Sequence, residues 1–365
     1  MKLSITQEKF ARSLGIVGRV VGSRSSLPIL GNILLKAEGS ELTVSATNLE
    51  IALSVHVHCK IERPGSVSVP AKLLQEVISS VQSEKLQLTS DGESLEVSAA
   101  HVNAKLQGMQ ADEFPATPEV QADQVVNLPS QLMKDLLERV TRAASLDESR
   151  PVLAGVLISS QAGILTLAAT DSYRLAEEKV SLKDLHDFSV IIPIRTIQEV
   201  IRLIDPAHND SIDLTIGTNE MAIQIGDVQL VSRLIDGSFP NYSQIIPSSS
   251  ETSLTCRRDD LIGIVKLAGV FARENAHTIQ LSVERDGIKI HAEAAQVGQN
   301  TSELPADVKG KTAQISLNAR FLVDALTAFS EPEVELKFND KLDPCVIIPV
   351  NKQAQSLHLI MPLRN

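Results

Sequence analysis

The residues that could do chemistry are few and scattered. His56 and His58 lie two apart with Cys59 beside them. That spacing puts both imidazoles on one face of a strand and invites a metal reading. The other histidines (His101, His186, His208, His277, His291 and His358) supply no second cluster at zinc-like spacing. The pair therefore reads better as the exposed face of an antiparallel strand. Asp147-Glu148 and Asp259-Asp260 are adjacent carboxylates. Neighbours in sequence do not face each other on a helix, so a shared acid–base dyad is poorly served. Asp259-Asp260 suits the first turn of a helix, where negative charge is favourable. No GxSxG elbow, GxxxxGK[ST] loop or GxGxxG loop occurs. No catalytic residue, cofactor or metal is expected, and the chain is not read as an enzyme.

The elements that position these residues belong to a long, acidic chain. It has 365 residues, a net charge of −11 and no Trp, with only 3% aromatics. A uniformly basic nucleic-acid binder is excluded, although a patchily basic one is not. Holding single strands by stacking bases on aromatic platforms is disfavoured. Three cysteines, few and far apart, suit a reducing compartment. The N-terminus has no apolar signal region, and no run approaches the ~18 apolar residues of a membrane span. A soluble, cytoplasmic protein without a membrane partner is expected.

An internal repeat organises the chain. Val69-Pro70-Ala71-Lys72-Leu73-Leu74-Gln75-Glu76-Val77-Ile78 is echoed by Ile192-Pro193-Ile194-Arg195-Thr196-Ile197-Gln198-Glu199-Val200-Ile201, and more weakly by Leu317 to Leu326. Pro28-Ile29-Leu30 stands before Thr47 as Pro151-Val152-Leu153 stands before Thr170. Phe114-Pro115 returns as Phe239-Pro240. Gly39, Gly163 and Gly287 recur where hairpin turns would join alternating strands. Each copy opens with a strand and an amphipathic helix, has a second helix after a proline, and is otherwise alternating strand. The pattern predicts an α+β protein of three tandem domains, 1–122, 123–248 and 249–365. Each would hold two helices backed by antiparallel sheets, with linkers near 114–119 and 247–252.

Charge is divided unevenly over this plan. The six expected helices, at 7–20, 71–82, 130–143, 194–204, 257–273 and 319–329, carry a net +6, which leaves −17 elsewhere. Solvated helix faces collect Lys and Arg in any protein. The sharper reading is a basic face built of helices, able to contact phosphates without reading sequence.

Four segments in order carry a resemblance that covers the whole chain: Arg24-Ser25-Ser26-Leu27-Pro28-Ile29-Leu30-Gly31-Asn32, Ala169-Thr170-Asp171-Ser172-Tyr173-Arg174-Leu175-Ala176, Asp236-Gly237-Ser238-Phe239-Pro240-Asn241-Tyr242, and Met361-Pro362-Leu363-Arg364. On the threefold repeat they resemble the bacterial sliding clamps, the β subunit of DNA polymerase III. The resemblance implies a head-to-tail homodimer closing a six-domain ring, with helices lining the hole and sheets outside. Such a clamp would encircle double-stranded DNA without sequence preference as a processivity factor in replication. Its implied partners are a clamp loader, a replicative polymerase subunit and repair or ligation proteins, docking through short linear motifs. A scaffold with the same repeats that binds peptides but never encircles DNA is the alternative.

The resemblance also assigns residues. Arg24 and Arg150 fall at positions facing DNA, and Lys9, Arg12, Lys134, Arg139, Arg142, Arg195, Arg202 and Lys266 are candidates for the channel. A partner-peptide pocket would take Leu153, Thr170, Ser172, Tyr173, Arg174 and Leu175. Pro240, Gln244 and Ile245 would join it, with the tail residues Ile360, Met361, Pro362, Leu363 and Arg364. The set is apolar with a few polar anchors, as peptide grooves are. Val270 and Phe271 match apolar dimer contacts. Tyr173 stands where many relatives carry His, and Ser243-Gln244 where many have a basic or larger residue, which bears on motif preference.

Overall fold

Residues 1–22, 27–121, 124–182, 185–294, 296, 298–350 and 355–364 are described in a computed structural model. The first repeat runs β1 (Lys2–Thr6), α1 (Gln7–Val17), β2 (Asn32–Glu38), β3 (Glu41–Thr47), β4 (Ile51–His58), β5 (Lys60–Arg63), β6 (Gly65–Pro70), α2 (Ala71–Ser80), β7 (Lys85–Asp91), β8 (Ser94–Ala99) and β9 (Val102–Gln107). The second runs β10 (Gln124–Pro129), α3 (Ser130–Thr141), β11 (Gly155–Gln161), β12 (Ile164–Thr170), β13 (Arg174–Ser181), β14 (Phe188–Pro193), α4 (Ile194–Leu203), β15 (Ser211–Ile216), β16 (Glu220–Ile225) and β17 (Val228–Arg233). The third runs β18 (Thr252–Arg257), α5 (Arg258–Phe271), β19 (Thr278–Glu284), β20 (Gly287–Ala294), β21 (Gly298–Pro305), β22 (Asp307–Gly310), β23 (Ala313–Asn318), α6 (Ala319–Ala328), β24 (Glu333–Phe338), β25 (Cys345–Pro349) and β26 (Gln355–Ile360).

The helices begin and bury where the sequence pattern places them. Helix α1 buries Phe10, Leu14 and Val17, one face of a 3.6-residue period. Pro70 occupies the N-cap position of α2, and Pro129 and Pro193 immediately precede α3 and α4. Asn318 caps α6, its side-chain oxygen accepting from the N–H groups of Arg320 and Phe321 at 2.9 and 3.3 Å. Asp259 and Asp260 lie in the first turn of α5, beside Arg258 and Arg257. Gly39 and Gly163 take the left-handed conformation in hairpin turns, as their positions require. Gly287 differs: it is the first residue of β20, and a Cβ there would lie 2.4 Å from the Leu304 carbonyl oxygen. Close strand approach, not turn geometry, selects that glycine.

The strands form four antiparallel sheets, ordered β5-β1-β7-β8-β9, β10-β15-β16-β17-β4-β3-β2-β6, β14-β11-β12-β13-β26-β25-β24-β18-β22 and β21-β20-β19-β23. Every repeat thus contributes a first sheet ending in β9, β17 or β26 and a second ending in β4, β13 or β21. Two joins follow one rule. Strand β17 of the second repeat pairs with β4 of the first, and β26 of the third with β13 of the second. The long sheets therefore run through the repeat boundaries. The chain accordingly divides into two compact units, Met1–Leu132 with Arg202–Leu234, and Met133–Ile201 with Ile235–Asn365. Strands β9 and β21, which the rule would match next, each remain at a sheet edge.

Candidate partner groove and basic helix faces

The groove candidates gather in the second unit, around the turn between β12 and β13. Thr170 Oγ1 donates to the Arg174 carbonyl at 2.7 Å and accepts the Ser172 N–H at 3.2 Å. Asp171 Oδ1 accepts the N–H groups of Tyr173 and Arg174 at 2.9 and 3.0 Å. This double-anchored turn holds Ser172 at φ +80° and leaves Tyr173 62% exposed. The C-terminal tail runs alongside. Met361 N–H donates to the Tyr173 carbonyl and Leu363 N–H to the Ser316 carbonyl, both at 2.8 Å.

The floor beside the turn is apolar. Leu175, Val346 and Leu359 are buried, and Tyr242, Ile246, Ile348, Leu357 and Met361 pack on them half-covered. Tyr242 donates its hydroxyl to Glu177 Oε2 at 2.7 Å and meets Phe239 edge-on at 6.0 Å. Burial, then the Glu177 carboxylate, push the phenol pKa up, so it stays a donor. Pro240, Gln244 and Ile245 are exposed on the same loop, and a cleft of about 270 Å³ opens under residues 246–250. Leu153 is half-buried just after Arg150.

Arg174 is fully engaged. Its Nε donates to Asp171 Oδ2 at 3.0 Å, its Nη1 donates to Asp324 Oδ2 at 2.6 Å, and its guanidinium lies 4.3 Å over the Phe321 ring. Asp324 and Phe321 come from α6, about 150 residues away in sequence, so no local pattern could have nominated them. Asp171 was within reach, because it sits inside the segment that marks the turn. Arg150 donates to Ser172 Oγ and to Asp147 Oδ2, each at 3.3 Å, so it borders the groove.

The basic candidates divide by their surroundings. Lys9, Arg142 and Lys266 are exposed and have no ion-pair partner among the described residues. Arg12 forms a fork with Asp227 at 2.7 and 3.2 Å, and Arg195 pairs with Glu148. Lys134 and Arg202 each have a polar or electrostatic partner. Arg139 points inward, donating to Ser356 at 3.2 Å beside Glu178. Arg24 lies outside the described residues. Arg19, which no sequence motif marks, is exposed beside Arg12 and Arg202 around a recess of about 640 Å³. Val270 is 45% exposed, whereas Phe271 packs against the core of the third repeat. His56 bonds Glu41 at 2.7 Å, and no group of metal-ligating residues occurs among the described ones.

Comparison with known proteins follows the same threefold division. The N-terminal, central and C-terminal domains of the DNA polymerase III beta subunit match residues 1–118, 127–241 and 243–364. The chain belongs to the DNA polymerase III beta subunit family. The beta sliding clamp of Synechocystis sp. is 28% identical over all of this chain and 99% of that protein. That of Synechococcus elongatus is 29% identical over the same shares. The crystal structure of the DNA polymerase sliding clamp from Bacillus subtilis superposes with a TM-score of 0.96 at 24% identity, covering 100% of this chain and 99% of that one. The beta-clamp fold accounts for the two helices and two sheets in each repeat. No helix of the described residues is long and apolar enough to cross a membrane.

Proposed function

We propose that this protein is a sliding clamp, a processivity factor that encircles duplex DNA and tethers the replicative polymerase during DNA replication. The observation that carries the assembly is the strand rule. Two repeat boundaries are closed by β17 on β4 and β26 on β13, and the same rule matches the free β9 to the free β21. Among the described residues each of these strands ends its sheet; paired between two chains they complete a head-to-tail dimer, with Val270 near the join. Unpaired edges invite such pairing. Exposed Lys9 on α1, Lys266 on α5 and Arg142 just past the end of α3 supply phosphate contacts that hold without reading bases. Arg24, Arg150, Arg12, Lys134, Arg195 and Arg202 belong to the same proposal, the paired ones with weakened charge.

The groove around Tyr173, Leu175 and Met361 docks short motifs from the clamp loader, the polymerase and repair or ligation proteins. Its apolar floor supplies affinity, and its anchored turn and tail supply orientation. The work is topological: the protein needs no catalytic residue or cofactor, and it acts in the cytoplasm. The experiment compares loaded protein on nicked circular and linear DNA. A clamp is retained on the circle and lost from linear ends. Equal retention would overturn the proposal and favour a scaffold that does not encircle DNA.

A further inference from the structure

The seam between the second and third repeats contains a buried polar cluster. Glu178 on β13 has a side chain only 2% exposed; Ser356 Oγ on β26 donates to its Oε2 at 2.5 Å, and Arg139 Nη1 of α3 lies 3.5 Å away. Its other oxygen, Oε1, has no hydrogen-bond partner among the described residues. His358, two residues along β26 and 4% exposed, has no hydrogen-bond partner for Nε2 among the described residues and meets the Phe329 ring edge-on at 5.2 Å.

The first seam puts apolar residues at the matching places. Thr47 faces Ala52 as Thr170 faces Leu175, which aligns Val55 with Glu178. Val55 faces Val228 as Glu178 faces Ser356, and Leu53 faces Leu230 as Ala176 faces His358. Ile16 of α1 stands where α3 has Arg139. A polar seam is therefore not demanded by the fold.

We propose that Glu178 and His358, buried on the paired strands β13 and β26 with an incompletely bonded polar atom each, form a compensated proton latch on the second seam. Burial without full pairing disfavours the charged form of each group. Glu178 is raised from 4.5 to about 7 by burial, opposed by Ser356 and Arg139 and assisted by Glu331. His358 is lowered from 6.5 to about 3 by burial, then by Arg174, Arg142 and Arg139. Glu178 thus strengthens the seam below its ordinary value and weakens it as pH rises to about 7. His358 strengthens the seam above its ordinary value and weakens it as pH falls toward about 3. Across mildly acidic to neutral pH the two slopes oppose each other. Strand β26 runs into Met361, so on the groove reading above the latch also steadies the tail.

The test is amide hydrogen exchange on the full chain, comparing protection of β26 with that of β17 as internal reference between pH 5 and 8. The unaltered chain keeps a nearly constant ratio. In Glu178→Gln the ratio rises with pH, and in His358→Leu it falls, each by at least ~10-fold. Slopes unchanged in both variants would overturn the proposal. If a variant does not fold, C2–H exchange of His358 in the unaltered chain decides. An imidazole that stays neutral at pH 5 supports the latch, and titration near the ordinary histidine value overturns it. Strand opening is read without partner or DNA, so failure here leaves the clamp reading standing.

Discussion

The two repeat seams share a backbone and differ in almost everything carried on it. In both, a threonine hydroxyl closes the turn before the seam strand. Thr47 Oγ1 bonds the Ile51 carbonyl at 3.0 Å, and Thr170 Oγ1 bonds that of Arg174 at 2.7 Å. Leu49 and Ser172 sit left-handed at φ +76° and +80°. Yet Glu50 and Ile51 of the first turn become Tyr173 and Arg174 in the second. Ile51 stands where Arg174 holds Asp171 and Asp324 together in the second seam, and the interior of the first seam is sealed by Ile16, Leu53, Val55, Val228 and Leu230. The repeat dictates where the backbone goes, whereas the apolar groove around Tyr173 and the buried Glu178–Ser356 cluster are substitutions laid on one copy.

Carrying the second seam's chemistry into the first would break this contrast most severely. Val55→Glu would bury a carboxylate with no Arg139 equivalent, at a cost of about 3–5 kcal/mol in chemical denaturation. Removing the partner from the second seam is expected to cost somewhat less. Arg139→Ala should lower stability by about 2–3 kcal/mol, because a hydrogen bond to a buried charge is lost. That loss should be greater at pH 8 than at pH 6. Without the arginine, the raised Glu178 pKa rises further, and stability gained from a neutral carboxyl is lost as pH climbs. DNA retention and its salt dependence should not change beyond this loss of fold, which separates a seam residue from a channel residue.

Deleting Met361 through Asn365 leaves both seams in place and removes the tail's bonds to Tyr173 and Ser316. Binding of partner peptides, measured by fluorescence anisotropy, should be abolished while the dimer persists. Normal peptide binding would show that the tail is not part of the groove. The smallest effect is expected at Arg12→Ala. The Arg12–Asp227 pair is exposed, so thermal unfolding should register less than ~1 kcal/mol.

Much of this architecture was legible in the sequence because the repeat multiplied weak signals. The prolines before α2 and α4, the threonines at the turns and the hairpin glycines recur at nearly one period, and all six expected helices occur among the described residues. The strand rule was not legible. Pairing of β17 with β4 joins residues about 175 apart, and alternation reveals a strand without naming its neighbour. Side-chain roles were legible only in part. Arg139 and Arg12 look alike in a charge tally, yet one is turned to Glu178 and the other to solvent-exposed Asp227. The Phe321 and Asp324 side of the groove was hidden for the same reason, since long-range proximity leaves no mark on local spacing. Tyr242 lay inside a recognised segment, but its bond to Glu177 needed the sheet to be assembled first.

The central claim is that β9 and β21 close the series of joins that β17 on β4 and β26 on β13 begin. Light scattering at micromolar concentration tests it most directly. The account predicts a molar mass twice that of the 39.4-kDa chain. A stable species at the mass of a single chain would contradict it.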